Sequence, residues 1–196
     1  MARLDILTAN DEVGAYPASW YAATATPPAE QPQAKGDLSC DVCVVGAGFT
    51  GLSAALHLAE RGYDVILLDA HRAGFGASGR NGGQVSGTQR LDQDELEKMV
   101  GLDAARGLWE IGQDSVKVLR GLIDAHKIDA RWVSGVIHAD HRARFVAHSK
   151  AYAEKLQEDY GYGLIRALDK SEIRNLVGSD AYHGGTLDMG AGHIHP

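Results

Sequence analysis

The chain of 196 residues is long enough for one sizeable hydrophobic core, or for one domain and part of a second. Its hydrophobic fraction of 44% and charged fraction of 23% are those of an ordinary globular protein. The formal net charge of −7 argues against nucleic acid as a partner, and no apolar run reaches the roughly 18 residues that a membrane span requires.

The first part of the chain is predicted to be an N-terminal arm and linker, residues 1–37. Residues 1–5 lack the apolar core of a secretory signal, so we expect a cytoplasmic location. Three prolines among residues 22–36 favour an extended connector. The aromatic residues before this connector could anchor the arm on a surface or contribute little: Tyr16, Trp20 and Tyr21.

Two cysteines, Cys40 and Cys43, have the C-x-x-C spacing that also occurs in redox and zinc motifs. Cys43 lies within a predicted strand, and residues three apart on a strand point to opposite faces. We therefore interpret them as small apolar residues and predict no metal ligand among them.

A glycine-rich turn at residues 46–51 lies between a predicted strand and a predicted helix. The β-branched run 42–45 predicts a strand buried on both faces, and an apolar stripe over 52–59 predicts the helix. A second strand is expected at 65–68 and stops before Asp69. The segment is thus a βαβ unit.

The glycines of this turn have the spacing of a dinucleotide-binding site. Gly46 permits the tight turn, Gly48 lets the backbone approach a pyrophosphate, and Gly51 lets the helix pack closely on the strand. The N–H groups at the helix N-terminus can bind phosphate, and Asp69 can accept hydrogen bonds from ribose hydroxyls. Asp69 would repel the 2′-phosphate of NADP, whereas NAD and FAD both satisfy the pattern.

A second glycine-rich loop follows, with six glycines between residues 74 and 87. Such a backbone can pass close to a flat or charged group. Ser78, Arg80, Asn81 and Gln84 supply hydrogen-bond donors within it. The alternative is a solvated surface loop.

Helices are predicted to dominate from residue 91 onward. One helix is expected to bury a stripe made of Leu108, Ile111, Ser115, Val118 and Leu122. Further along, we predict a strand at 132–139, a helix over 145–156, a capping box at Asp169 and Glu172, and a strand at 182–189. Two polar groups are interpreted as solvated: the acids Asp92, Asp94, Glu95 and Glu97, and the pair His193 and His195.

The two glycine motifs together, VVGAGFTGL at 44–52 and GASGRNGG at 76–83, resemble those of the D-amino-acid-oxidase-type FAD-dependent oxidoreductases. The resemblance is strongest to the gamma-glutamylputrescine oxidase branch, and the aromatic stretch 16–21 is similar to that branch too. It implies an α/β fold, in which a Rossmann-like FAD-binding βαβ unit with its flavin loop occupies 38–90. The start of an α+β substrate domain, built around a mixed sheet, would occupy 91–196 of a longer protein.

The resemblance also implies where FAD lies. The pyrophosphate would follow the glycine turn, the ribose would lie beside Asp69, where the family more often has Glu, and the flavin would follow the second loop. Arg80 could place positive charge near the flavin ring. The implied cofactor-binding residues are Gly46, Gly48, Phe49, Gly51, Asp69, Ser78, Gly79, Arg80, Asn81 and Gly83.

The activity implied by the resemblance is oxidation of a C–N bond, with hydride passing to flavin N5 and water hydrolysing the imine. The partners would be a small-molecule amine and either O2 or an electron-transfer protein. Catalytic residues and oligomeric state do not follow from the sequence, and we expect this chain alone to be inactive. Two alternatives remain: a non-catalytic dinucleotide-binding module, and an NAD-dependent dehydrogenase, which would need a third strand soon after Asp69.

Overall fold

The computed structural model describes residues 15–196. Residues 1–14, which include the start on which the expected location depends, lie outside the described residues. The chain divides into two compact units: one contains the described residues up to Gly82 together with Pro196, and the other is Gly83–His195. The domain bounds predicted from the sequence remain predictions.

The first unit is a parallel βαβ arrangement preceded by one helical turn. It contains helix α1 (Trp20–Thr24), strand β1 (Val42–Val45), helix α2 (Phe49–Glu60) and strand β2 (Val65–Leu68). The strands pair in parallel, with Val42 opposite Val65 and Val45 opposite Leu68. The predicted strand–helix–strand order is confirmed.

Strand β1 has one covered face and one open face. Val44 lies beneath α2, close enough that a Cβ on Gly51 would be 3.4 Å from its Cγ1. On the opposite face Cys43 is exposed and a free thiol, and Val45 is 82% exposed. The prediction of a strand buried on both faces is wrong for the described chain, because α2 covers only one face and no other described element of this unit covers the second.

The second unit is an antiparallel sheet with helices. Its elements are β3 (Gln84–Val85), α3 (Gln93–Val100), α4 (Leu102–His126), β4 (Val133–Ala139), α5 (Ala143–Tyr160), β5 (Ile165–Leu168), α6 (Lys170–Val177) and β6 (Gly185–His193). Strand β6 pairs with β4 along one edge, and with β5 and β3 along the other. All these pairs are antiparallel, so the mixed sheet implied by the resemblance shows only antiparallel pairing among the described residues.

Helix α4 buries a different face from the predicted one. Its buried residues are Ala105, Trp109, Gly112 and Val116, whereas Ile111 is 65% exposed and Val118 is 52% exposed. The predicted stripe is therefore wrong. The reason is steric: Gly112 lies so close to the carbonyl of Gly87 that a Cβ there would collide with it. A helix held that close by a glycine buries its small residues and Trp109 rather than its aliphatic stripe.

The core of this unit forms where α4 and α5 meet strand β5. It contains Trp109, Ala153, Leu156 and Ile165. The Trp109 ring packs edge-on against Tyr162, with ring centroids 5.1 Å apart. Such aromatic contacts add to the free energy gained from burying the rings.

A buried polar network joins α3 to α5. Gln93 is 2% exposed and its side-chain amide donates to the carbonyl of Ala105, 2.6 Å away, and to the Tyr160 hydroxyl, 3.2 Å away. Tyr160 in turn donates to Glu97 over 2.6 Å, and Lys155 lies 3.0 Å from the same carboxylate. The interpretation of the acidic group as simply solvated is therefore wrong for Glu97. The hydrogen bond from Tyr160 lowers the pKa of Glu97 below its ordinary value.

Strand β6 begins and ends later than predicted. Its last residues are glycine-rich and extended because partners approach them closely: a Cβ on Gly190 would collide with the Tyr162 hydroxyl, and one on Gly192 would lie 2.8 Å from the Trp132 ring. The capping box of Asp169 and Glu172 is confirmed at the start of α6. Among the described residues, no helix combines the length and hydropathy of a membrane-spanning segment.

Candidate functional site

The glycine turn of the first unit is closed by backbone contacts. Gly46 has φ +104° and donates its N–H to the carbonyl of Leu68 over 2.7 Å. A Cβ on Gly51 would collide with the carbonyl oxygen of Gly46. Only glycine fits at position 51 while the helix begins this close to the strand, which is the close packing the spacing predicted.

The N-terminus of α2 meets a hydroxyl from the second glycine loop. Gly48 is the N-cap residue and has no side chain with which to cap the helix. The N–H of Phe49 donates instead to Ser78 Oγ over 3.0 Å, and a Cβ on Gly48 would lie 2.9 Å from the same oxygen. The Phe49 ring is 59% exposed. The structure therefore brings Gly48, Phe49 and Ser78 together.

Asp69 lies at the end of β2 and holds two backbone N–H groups. One carboxylate oxygen accepts from Ala47 over 2.6 Å, and the other accepts from His71 over 2.7 Å. A carboxylate has about four acceptor positions, and Asp69 is exposed. Asp69 thus braces the glycine turn and retains the capacity to accept from a hydroxyl, as the sequence predicted for a ribose.

The second glycine loop stabilises itself from within. Gly79 lies in a 3-10 turn (Ala77–Gly79), and a Cβ on it would collide with the carbonyl of Gly74. Asn81 donates its amide to the carbonyls of Ala77, 3.2 Å away, and Ser78, 2.7 Å away. The closeness of these backbone segments explains why the loop requires glycine.

Arg80 is turned toward the same loop. Its Nε donates to the carbonyl of Phe75 over 2.9 Å, and its guanidinium carbon lies 4.8 Å from the centre of the Phe75 ring. Phe75 is buried, so this contact anchors Arg80 on the loop. The side chain as a whole is exposed, and a role for its charge beside a flavin remains a prediction.

Gly83 belongs to the second unit, whereas the other predicted site residues belong to the first. Its carbonyl accepts the N–H of Ile194 over 2.9 Å. Its predicted contact with the cofactor stays a prediction.

Two hydroxyls of the N-terminal arm also contact the second loop, which the sequence did not indicate. Tyr16 donates to the carbonyl of Ala73 and Tyr21 to that of Gly82, each over 2.9 Å. Tyr16 and Ala73 are 57 positions apart, and Tyr21 and Gly82 are 61 positions apart. No local sequence pattern could therefore have revealed these two contacts. The aromatic composition of the arm was the only signal.

These residues fit a dinucleotide. The first turn of α2 carries no acidic side chain, and a helix N-terminus without one presents N–H groups and partial positive charge to a phosphate. At Gly46 nothing lies within 4 Å of the position a Cβ would take, and at Gly48 the neighbouring group is the Ser78 hydroxyl. Within the described residues, β3 pairs with β6 and no third strand joins β1 and β2, so the strand that the NAD alternative requires soon after Asp69 is not found there.

Comparison with known proteins supports this interpretation. The model of the family "DAO: FAD dependent oxidoreductase" matches residues 41–196. Over 178 residues the chain is 43% identical to gamma-glutamylputrescine oxidoreductase of Escherichia coli K12, covering 91% of this chain and 42% of that protein. It is 38% identical to the probable oxidoreductase OrdL of Rhizobium meliloti, with the same two coverages, 91% and 42%.

Solved structures share the fold. L-amino acid deaminase from Proteus myxofaciens, in complex with anthranilate, matches with a TM-score of 0.67 and 20% identity, over 88% of this chain and 37% of that one. Glycine oxidase from Bacillus cereus matches with a TM-score of 0.55 and 17% identity, over 80% of this chain and 42% of that one. The chain therefore spans less than half the length of the relatives it matches.

Proposed function

This chain belongs to the DAO family of FAD-dependent oxidoreductases, and we propose that it forms the cofactor-binding part of an enzyme that oxidises the C–N bond of an amine or amino acid. The observation that carries the proposal is the junction of Phe49 and Ser78 at the N-terminus of α2. There the two glycine motifs meet around a group of backbone donors that suits a pyrophosphate.

The predicted residues have distinct tasks in this proposal. Gly46 and Gly51 fix the turn, so that the N-terminus of α2 faces the FAD pyrophosphate, with the Ser78 hydroxyl on the Phe49 N–H beside it. Asp69 accepts from the adenosine ribose while it holds Ala47. The second loop lines the rest of the cofactor with these residues: Ser78, Gly79, Arg80, Asn81 and Gly83.

FAD, when bound, supplies the acceptor for hydride from the carbon beside the amine. The residues of this chain bind and orient it. Arg80 lies on a loop packed against the buried Phe75 ring, so a positive charge at that position is held by the fold. Such a charge stabilises negative charge that develops on a nearby group during the reaction.

The substrate we propose to test first is gamma-glutamylputrescine, because the E. coli relative, which is 43% identical, is named gamma-glutamylputrescine oxidoreductase. Either O2 or an electron-transfer protein would accept the electrons. The net charge of −7 speaks against a nucleic-acid partner. A cytoplasmic location stays a prediction.

The test is anaerobic addition of gamma-glutamylputrescine to a complete protein of the relatives' length that carries this chain. We expect the visible flavin bands to bleach, and to return when air is admitted if O2 is the acceptor. Putrescine, glycine and sarcosine, added separately, define the substrate class. A bound flavin that no amine reduces would contradict the proposed reaction and favour the binding-module alternative.

The 196-residue chain alone provides a second test. Val45 and Phe49 are 82% and 59% exposed in it, so part of the apolar surface of the βαβ unit lacks cover. We expect the isolated chain to lack a flavin spectrum after purification. Flavin retained at full occupancy would show that the described residues suffice to bind it.

A further inference from the structure

The N-terminal arm contacts the second glycine loop at both ends of the part that lies in the first unit, residues 74–82. The Tyr16 hydroxyl donates to the carbonyl of Ala73, which immediately precedes the loop, and the Tyr21 hydroxyl donates to the carbonyl of Gly82, near its other end. The residues between these two points include Ser78, which reaches the N-terminus of α2. The two phenols thus bracket the segment that we propose binds FAD.

Side-chain hydrogen bonds form at both ends of the helical turn that carries Tyr21. Helix α1, which carries Tyr21, is capped by Ser19, whose side chain accepts the N–H of Ala22 over 3.2 Å. Thr24 donates its hydroxyl to the carbonyl of Trp20 over 2.7 Å at the other end of the turn. A capped helical turn restricts the direction of a side chain that it carries.

Arg72 adds a second attachment near Tyr16. Its guanidinium carbon lies 5.6 Å from the centre of the Tyr16 ring, and its terminal nitrogen lies 3.4 Å from the carboxylate of Glu30 in the arm. Both contacts join the arm to the residues that lead from β2 into the loop. Cation–π and exposed ionic contacts are individually weak, so the hydroxyls are the more specific attachments.

The arm and the loop also share a cavity of about 260 Å³. Tyr16 and Tyr21 line it from the arm, Phe49 and Leu52 from α2, and Ser78 from the loop. The arm therefore reaches the same junction of α2 and the loop that carries the proposed function.

From these contacts we infer that the arm positions the second glycine loop for FAD, and that Tyr16 and Tyr21 are positioning residues. This inference rests on the proposed function. A loop with five glycines between residues 74 and 83 has high conformational entropy when free. Two hydrogen bonds that hold its ends reduce the entropy that the loop must lose when it binds the cofactor.

The test compares Tyr16→Phe, Tyr21→Phe and the double variant with wild type in the complete protein. Each substitution removes one hydroxyl and keeps the ring. In apoprotein, we expect the amides of residues 74–82 to exchange hydrogen several-fold faster. In the FAD titration, we expect the dissociation constant to rise about fivefold for each single variant and more for the double variant.

Tyr63→Phe is the matched control, because Tyr63 is a 50% exposed tyrosine of the same unit outside the arm and the loop. The inference requires that Tm of the apoprotein stay close to wild type in the single variants and that Tyr63→Phe change neither measurement. It is overturned if loop exchange and FAD affinity match wild type in the double variant, or if Tyr63→Phe produces the same losses.

Failure of the inference and failure of the proposed function are distinguishable. If wild-type protein binds FAD and the double variant binds it equally well, only the role of the arm is wrong. If wild-type protein binds no FAD at all, the proposed function fails, and the arm's role toward the cofactor fails with it. Hydrogen exchange of the apoprotein still reports in that case whether the arm holds the loop.

Discussion

The two compact units maintain their structures by different means. In the first, the decisive contacts join backbone to backbone or backbone to a short side chain, as where Gly51 lies against Gly46 and where Asp69 holds Ala47. In the second, long side chains from distant elements meet in a buried network, as with Gln93 and Tyr160. The comparison shows that a binding turn can rely on contacts as short in sequence as that of Ala47 with Asp69, 22 positions apart, whereas the core depends on contacts such as that of Gln93 with Tyr160, 67 positions apart.

The largest effect is expected for Gly51→Ala, which tests whether backbone proximity alone holds the first unit. The added methyl would collide with the carbonyl of Gly46, and the N-terminus of α2 must move away. We expect FAD affinity of the complete protein to fall by about 5-fold to about 150-fold, since a strain of about 1–3 kcal/mol is typical of overpacking. Gly121→Ala is the control, because Gly121 lies in helix α4, away from both glycine motifs, and nothing lies within 4 Å of the added Cβ.

Tyr162→Phe tests the side-chain contacts of the second unit. The Tyr162 hydroxyl donates to Asp188, which is 5% exposed, over 2.6 Å, and burial together with this bond raises the pKa of Tyr162. Loss of the hydroxyl should lower the free energy of unfolding by about 1–3 kcal/mol, because the buried carboxylate loses a donor. Chemical denaturation measures this. The control is Tyr182→Phe, at a half-buried tyrosine of the same unit. A loss no larger than that of the control would show that the bond from Tyr162 contributes little.

Gly112→Ala tests whether the second unit also depends on a close backbone contact, that of helix α4 with Gly87. A methyl there would collide with the carbonyl of Gly87, and we expect a loss of about 1–2 kcal/mol in unfolding free energy. Gly107→Ala on the same helix meets nothing within 4 Å and should stabilise α4 by up to about 1 kcal/mol. Changes of opposite sign in the free energy of unfolding support the observed buried face of α4. Changes of equal sign would contradict it and favour the face predicted from the sequence.

Ser78→Ala tests the junction between the two glycine motifs. The N–H of Phe49 loses its acceptor, and loss of a helix cap typically costs about 1 kcal/mol. We expect FAD to bind about fivefold more weakly. The control is Ser53→Ala, at an exposed position of helix α2, which should leave the affinity for FAD unchanged. An equal loss of FAD affinity in both variants would show that Ser78 is not part of the site.

Glu97→Gln is expected to have the smallest effect and to depend on pH. The pKa of Glu97 is lowered from 4.5 in the folded protein, chiefly by the hydrogen bond from Tyr160. Its contribution to stability is therefore complete above pH 4.5 and is lost as pH falls through the lowered pKa. The difference between wild type and variant, measured by denaturation from pH 7 downward, should shrink below pH 4.5. A difference that stays constant over this range would show that the carboxylate is not responsible.

Much of the first unit could be predicted from sequence, because its determinants are local. The order of β1, α2 and β2 follows from apolar patterns a few residues long, and the glycine spacing itself predicts the turn. Burial of β1 could not be predicted, because Val45 is apolar whether or not another element covers it. The contact of Tyr21 with Gly82 spans 61 positions, and no periodicity encodes it.

The second unit was predicted less accurately for the same physical reason. Apolar spacing located α4, but the choice between its two faces depends on the distant glycine Gly87 and on the aromatic partners of Trp109. Glu97 resembles any solvated acid until Tyr160 is placed beside it. The capping box at Asp169 and Glu172, which is local, was predicted correctly.

The central claim is that the glycine turn and the second loop together bind FAD. The most direct measurement is the visible absorption spectrum of the purified complete protein, with wild type beside Gly51→Ala and Gly121→Ala. We predict flavin bands near full occupancy in wild type and Gly121→Ala, and their loss or marked reduction in Gly51→Ala. Wild-type protein without flavin bands, or flavin retained equally by Gly51→Ala, would contradict the account.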